Sequence, residues 1–416
     1  MHPTQIVVIA FGAAAIAGTL LLLLPMSTSA GNNTTLVTAF FTAVSAVCIT
    51  GLTVVDTATH WSGFGQFVIL ILIQLGGLGI VAFATLLGLL ISGRISLRDR
   101  MNTLSEAKIV GADNVSKLLG RILLVYFGFE LVLATYLSIR LHFSYGEEVL
   151  RSIWHGTFHA ISAFNNGGFS LYTDSMMGFS QDMFFIAPVM LAVIVGGLGF
   201  PVLIELHERL WRLRLQPGGK AKRFSLHTRL TLWMTICLIG LGALFIGLLE
   251  WNNPGTLGGL NTWDKLVNTF FSAVMPRSGG FNSIDITLMD PATWLGIDLL
   301  MVIGGGSAST AGGLKVTTIA VLIFIVYTEI RGETAVNVGN RRLPRSIQRQ
   351  ALTLVALSTT AILGTTLLFA ATTDFSLDEI LFDVVSAAAT VGLSTGITPE
   401  LPAFHQFWLA FLMFIG

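Results

Sequence analysis

The stretch Phe158-His159-Ala160-Ile161-Ser162-Ala163-Phe164-Asn165-Asn166-Gly167-Gly168-Phe169-Ser170 has three relatives in the same chain, at Phe41 to Thr53, Phe270 to Asn282 and Phe382 to Ser394. In each run a phenylalanine is followed ten residues later by a glycine, then by leucine or phenylalanine, then by a small polar residue. The glycines are Gly51, Gly168, Gly280 and Gly392, whose numbers differ by 117, 112 and 112. Self-similarity at a near-constant period reads as one structural unit used repeatedly. Long apolar stretches flank every copy, so the unit reads as a spanning helix, a short pore segment ending in a glycine turn, an extended return and a second spanning helix. The expected fold is an all-α integral membrane protein with four parallel helix–pore loop–helix repeats around a central, pseudo-fourfold pore. The expected limits are residues 1–114, 115–223, 224–340 and 341–416, with a break at about 304–313 in the third repeat.

Composition agrees with that environment. Of 416 residues 53% are hydrophobic and 11% charged, and the mean hydropathy is +0.77, outside the usage of soluble domains. Crossing about 30 Å of hydrocarbon takes roughly 20 apolar residues as helix. Ile6 to Leu24, Phe67 to Ile91, Leu118 to Leu141, Phe184 to Leu206, Leu230 to Leu249, Ala351 to Ala371 and, across its glycine break, Leu299 to Ile330 satisfy this. Met1 to Gln5 lacks the basic start of a secretory signal. Cys48 and Cys237 lie in different repeats, so no structural disulfide is expected.

The net charge of zero conceals a segregation. Of 23 Lys and Arg, 18 fall in the loops Ser92 to Arg121, His207 to Arg229 and Arg331 to Arg349, which places those loops in the cytoplasm of a multi-pass protein of the cell membrane. The opposite side carries Asp56, Glu147, Glu148, Asp174, Asp264, Asp285, Asp290 and Glu400, a face that concentrates cations. No nucleic-acid partner is expected.

A partly dehydrated cation needs several oxygen ligands, and backbone carbonyls provide them without titrating. Glycine permits the backbone angles and close approach that let carbonyls converge. Irregular backbone at membrane depth has to line a protein-walled or watery passage. The short helices run inward, so their negative C-terminal ends favour a cation. The candidate coordinating stretches are Cys48, Ile49, Thr50 and Gly51; Asn165, Asn166, Gly167 and Gly168; Arg277, Ser278, Gly279 and Gly280; and Ala389, Thr390, Val391 and Gly392. Close helix packing is the other role open to such glycines.

The second helices share Gly76-Gly77-Leu78-Gly79, Gly196-Gly197-Leu198-Gly199 and Gly304-Gly305-Gly306. Gly416 lies 112 residues after Gly304, so the sequence given is expected to stop midway along the last helix. The run Gly304, Gly305, Gly306, Ser307, Ala308, Ser309, Thr310, Ala311, Gly312, Gly313, Leu314 and Lys315 interrupts an apolar stretch, and its glycines are expected to break the helix. Leu314 between Gly313 and Lys315 rules out a phosphate-binding loop. Arg277 is expected to point away from the pathway and brace its segment through carbonyls or an acid, the alternative being direct tuning of conduction. Lys315 is expected to end the loop near the inner boundary. His155 and His159 have a metal-ligand spacing but no zincin glutamate between them, so a metal site there is not favoured. Glu130 has no evident partner and reads as interfacial, a proton relay being the alternative.

These motifs resemble the Trk/Ktr/HKT superfamily of potassium transporters, most of all the Ktr-type membrane subunit. The residues that carry the resemblance are Val47 to Leu52, His159 to Ser170, Pro276-Arg277-Ser278-Gly279-Gly280-Phe281-Asn282 and Ala389 to Leu393. The resemblance implies potassium selectivity, because Gly51 stands where sodium-transporting relatives have serine. It also implies that residues 304–313 with Lys315 form an intramembrane gate, and that the protein is a homodimer seated on a cytosolic ring of nucleotide-binding regulatory subunits. Potassium is then the transported ion and sodium a candidate activator, with no organic cofactor. The basic loops suit either that ring or anionic membrane lipid. A cation-coupled symporter on the same scaffold is the alternative. A membrane enzyme ranks far behind, since no nucleophile, metal cluster or carboxylate pair recurs at membrane depth.

Overall fold

The computed structural model describes residues 3–29, 33–94, 112–215, 224–332, 336–338 and 341–416. The architecture is helical, and among the described residues the only paired strands are the two-residue segments Asn337–Val338 and Arg341–Arg342. Helices follow one another as long, short, long. Pro3–Leu22, Leu36–Val47 and Gly63–Arg94 come first, then Ala112–Tyr145, Val149–Phe164 and the pair Met183–Leu198 with Phe200–Leu215. Leu226–Glu250, Thr262–Val274 and the pair Pro291–Val302 with Val316–Ile330 follow, and Arg345–Ala370, Leu377–Ala388 and Ala403–Ile415 close the chain.

Three of the four short helices begin at capping side chains. Thr35 accepts from the Thr38 amide, Asn261 from Asp264, and Ser376 forms a capping box with Glu379, each satisfying N–H groups that have no intrahelical partner. The long helices leave their apolar residues outside: Leu124, Leu131 and Val132 are 75%, 69% and 71% exposed, as a lipid-facing surface requires. Three apolar clusters fill the interior, and each takes residues from neighbouring copies. Phe158, Phe169 and Leu171 pack with Ala43, Val47 and Ile73; Phe271, Val274 and Phe281 pack with Phe164, Phe185 and Val189; Phe41, Val44 and Leu52 pack among Phe382, Val385, Leu409 and Met413.

Among the described residues three helices, Leu123–Tyr145, Leu226–Glu250 and Arg345–Ala370, are long and apolar enough to cross a membrane. The expected continuous span from Phe184 to Leu206 is corrected: it bends by 105° between Leu198 and Phe200. Gly199 there has φ +90° and Pro201 has no N–H to continue the ladder. The freed groups are taken up by the interruption in the third copy. Gly306 N donates to Gly197 O at 2.8 Å, Thr310 N to Gly196 O at 3.4 Å and Phe200 N to Ala308 O at 3.2 Å. Each break therefore satisfies the other.

Parts of the three basic loops have regular structure. Helix continues to Arg94 and resumes at Ala112, Phe200–Leu215 occupies much of the second loop, and the small hairpin and the start of Arg345–Ala370 occupy the third. Their remaining residues, 95–111, 216–223, 333–335 and 339–340, lie outside the described residues.

Candidate functional site

Each short helix ends just before a bend whose backbone is the same in all four copies. Ile49, Asn166, Ser278 and Thr390 have φ of 57°, 59°, 72° and 48°, and two residues on Gly51, Gly168, Gly280 and Gly392 have 87°, 69°, 72° and 97°. Left-handed backbone is rare outside glycine and most costly for β-branched side chains such as Ile49 and Thr390, at roughly 1–3 kcal/mol each. The glycine column was evident in the sequence. The strained column two residues earlier was not, and its only hint is Asn166, of a residue type that tolerates this region.

Strain of this kind persists where neighbours over-determine it. Thr50 N donates to Ser45 O at 2.8 Å, Gly167 N to Ser162 O at 2.6 Å and Val391 N to Ser386 O at 2.8 Å. The same serines use their hydroxyls on the return strand: Ser45 Oγ donates to Leu52 O at 2.7 Å, Ser162 Oγ to Phe169 O at 2.8 Å, and Ser386 Oγ accepts from Gly392 N at 3.0 Å. The third copy has Val274 in this place, its helix ends two residues earlier relative to the glycine, and Gly279 N turns to Met275 O at 2.8 Å. The phenylalanine column slips with it. Phe41, Phe158 and Phe382 are fully buried, whereas Phe270 is 45% exposed and Phe271 takes the interior.

The bends meet. A Cβ added to Gly51 would lie 2.7 Å from Gly167 O and 2.8 Å from Gly168 Cα; one on Gly168, 3.0 Å from Gly280 Cα and 3.2 Å from Gly51 Cα. One on Gly280 would lie 2.6 Å from Val391 O, and one on Gly392 would overlap Thr50 O and approach Gly280 Cα at 3.2 Å. The nearest neighbours of each bend thus belong to the copies before and after it, and the fourth returns to the first. Carbonyls of Thr50, Gly167 and Val391 sit at these junctions. Below them, Gly76, Gly196 and Gly416 abut the carbonyls of Val47, Phe164 and Ala388, which end the short helices of their own copies, so in the first, second and fourth copies a second glycine lets the following helix pass against a helix end.

The interruption expected at 304–313 lies between Val302 and Val316. Its base is closed by Gly304 N to Leu314 O at 3.0 Å and Leu314 N to Val302 O at 3.2 Å, and Gly304, Gly305, Gly306, Ser309, Thr310 and Ala311 are buried. Its far end packs on the fourth bend, where Gly312 abuts Thr390 Oγ1 and Ala389 O. Arg277 is 6% exposed; its guanidinium donates to Thr235 Oγ1 and to Gly304 O, both at 3.3 Å. Ser278 Oγ donates to Thr390 O at 2.7 Å and accepts from Gly312 N at 3.2 Å. Lys315 Nζ donates to Ala311 O at 2.5 Å and stays within the loop.

Glu130 is not interfacial, which corrects the sequence reading: it is 4% exposed, accepts from Gln74 Nε2 at 3.0 Å and from Asn165 Nδ2 at 2.9 Å. Tyr126 donates to Asn165 Oδ1, so Asn165 is held from behind while Asn166 is fully buried with neither side-chain atom hydrogen-bonded. Polar residues on two different long helices had no sequence signal for this meeting. His159 braces the return strand, with Ser170 Oγ at 3.1 Å and Leu171 N at 3.2 Å from Nε2. Asp383, at the same position of the fourth copy, does so through Ser394 Oγ at 2.8 Å and Thr395 N at 2.9 Å. His155 instead faces Glu147 and Tyr172. Among the described residues no group of three His, Cys, Asp or Glu is arranged to hold a metal ion; the oxygens that converge are backbone carbonyls, which suit a monovalent cation.

Comparison with known proteins shows the family and the fold. The family model TrkH, described as a cation transport protein, matches residues 1–416. The Ktr system potassium uptake protein B of Bacillus subtilis is 39% identical over all of this chain and 90% of its own length. The potassium/sodium uptake protein NtpJ of Enterococcus hirae is 34% identical with the same coverage. The crystal structure of the potassium transporter TrkH from Vibrio parahaemolyticus superposes with a TM-score of 0.76 at 17% identity, covering 99% of this chain and 81% of the other.

Proposed function

The chain belongs to the TrkH family of membrane cation transporters, which are not enzymes, and on that premise we propose that it takes up potassium through a channel-like pore, with the ring of four bends as selectivity filter. Four copies, residues 1–114, 115–223, 224–340 and 341–416, each contribute one bend. Carbonyls of Cys48 to Gly51, Asn165 to Gly168, Arg277 to Gly280 and Ala389 to Gly392 replace the hydration shell of the ion, and the C-terminal ends of the four short helices add negative potential. The loop 304–313, which touches the underside of the ring, is the gate. The protein acts as a homodimer in the cell membrane, basic loops inward, and opens under a cytosolic nucleotide-binding subunit, with sodium as an activator. The reading is carried by one observation: four bends with the same unusual backbone close on one another in chain order.

Rubidium or potassium flux into liposomes tests it. Gly51→Ser lowers discrimination against sodium by about tenfold, the change expected from about 1.4 kcal/mol at one site, and deletion of Gly304 to Gly313 raises flux. Unchanged selectivity and flux in both would refute the assignment. The double ion in the name of the Enterococcus hirae relative keeps a sodium-coupled symporter as the second reading; a current that reverses at the potassium equilibrium potential regardless of the sodium gradient excludes it.

A further inference from the structure

Two adjacent side chains of the third bend hold the two ends of the loop beneath it. Arg277 donates to the carbonyl of Gly304, the first residue of the loop, at 3.3 Å, and Ser278 accepts from the amide of Gly312, near its end, at 3.2 Å. The first of these is expensive to maintain. Arg277 is buried, its Nε has no hydrogen-bond partner, and among the described residues the ion pairs present do not include it. A buried guanidinium normally meets a carboxylate; this one is compensated by Thr235 Oγ1 and a single loop carbonyl. The second contact is shared. The Ser278 hydroxyl that accepts from the loop donates to Thr390 O of the fourth bend at 2.7 Å, inside the ring.

We infer that Arg277 and Ser278 are positioning residues that latch the loop to the ring, so that release of the loop and relaxation of the third and fourth bends are one event. This rests on the proposed roles of ring and loop. Movement of the loop away from the axis removes the Gly304 carbonyl from Arg277 and frees the Ser278 hydroxyl, whose hold on Thr390 O then changes. The copy that lacks the inward serine, with Val274 in its place, is the copy whose bend is held from below.

The test is a double-mutant comparison in liposomes. Arg277→Gln in the otherwise unaltered protein raises rubidium flux about tenfold or more, the size expected when a hydrogen bond from a charged donor is lost from one of two states. In the protein lacking Gly304 to Gly313 the same substitution gives no increase in flux, since nothing remains to be latched. An equal increase in both backgrounds overturns the latch while the effect of the deletion itself still supports the gate; absence of rubidium flux in the parent overturns both. Should Arg277→Gln fail to fold, Ser278→Ala is used and the readout is amide hydrogen exchange in nanodiscs. Exchange across residues 304–313 quickens about tenfold while exchange at Cys48 to Gly51 stays as it was; an unaltered loop overturns the inference.

Discussion

The first, second and fourth bends are held from inside their own copy, by a serine that reaches from the short helix to the return strand. The third is held from outside, by Arg277 on Thr235 and Gly304 and by Ser278 on Thr390 and Gly312. All four nevertheless share one backbone. The side chains around a bend are therefore interchangeable so long as the strained angles are over-determined, and the copy that departs from the shared device is the one that carries the long interruption in its second helix.

The largest effect tests what the four have in common. Gly392→Ala and Gly280→Ala each place a Cβ on or within 2.6 Å of a neighbouring carbonyl, at a φ of 97° or 72°, as Gly51→Ser does 2.7 Å from Gly167 O, and each should lower discrimination against sodium at least about tenfold and destabilise the protein by about 3 kcal/mol or more, read as thermal loss of the monodisperse peak in detergent. Tolerance of Gly280→Ala alone would mean that the third bend is not equivalent to the rest. A middle-sized effect tests the difference. Ser162→Ala removes a buried donor from Phe169 O and should cost about 1–2 kcal/mol, whereas Val274→Ser, which installs the missing serine in a helix that ends too early to use it, should also destabilise rather than rescue. The smallest effect concerns the slipped phenylalanine: Phe270→Leu, on the outside of the protein, should change stability by less than about 0.5 kcal/mol.

Much of this was legible in the sequence because it rests on glycine and on hydrophobic length. The columns Gly51, Gly168, Gly280 and Gly392 announce positive φ and close approach, and the run at 304–313 announces a broken helix; the structure has both. What was hidden depends on partners far apart in the chain. The 105° bend after Leu198 is encoded by Gly199 and Pro201, two residues from a motif that read as continuous helix, and it becomes stable only because Gly306, Ala308 and Thr310 supply its hydrogen bonds. Glu130 looked solitary because Gln74 and Asn165 lie 56 and 35 residues away. The Phe270 exchange with Phe271 accompanies the early end of the third short helix, which the glycine column does not mark.

Because every bend leans on its successor and the last on the first, no single one can retreat from the centre by itself. A substitution at one glycine meets the adjoining quarter of the molecule through a peptide plane, without any intervening side chain to absorb it. The ring is consequently a joint property of the whole chain, closed by contacts that no single copy supplies.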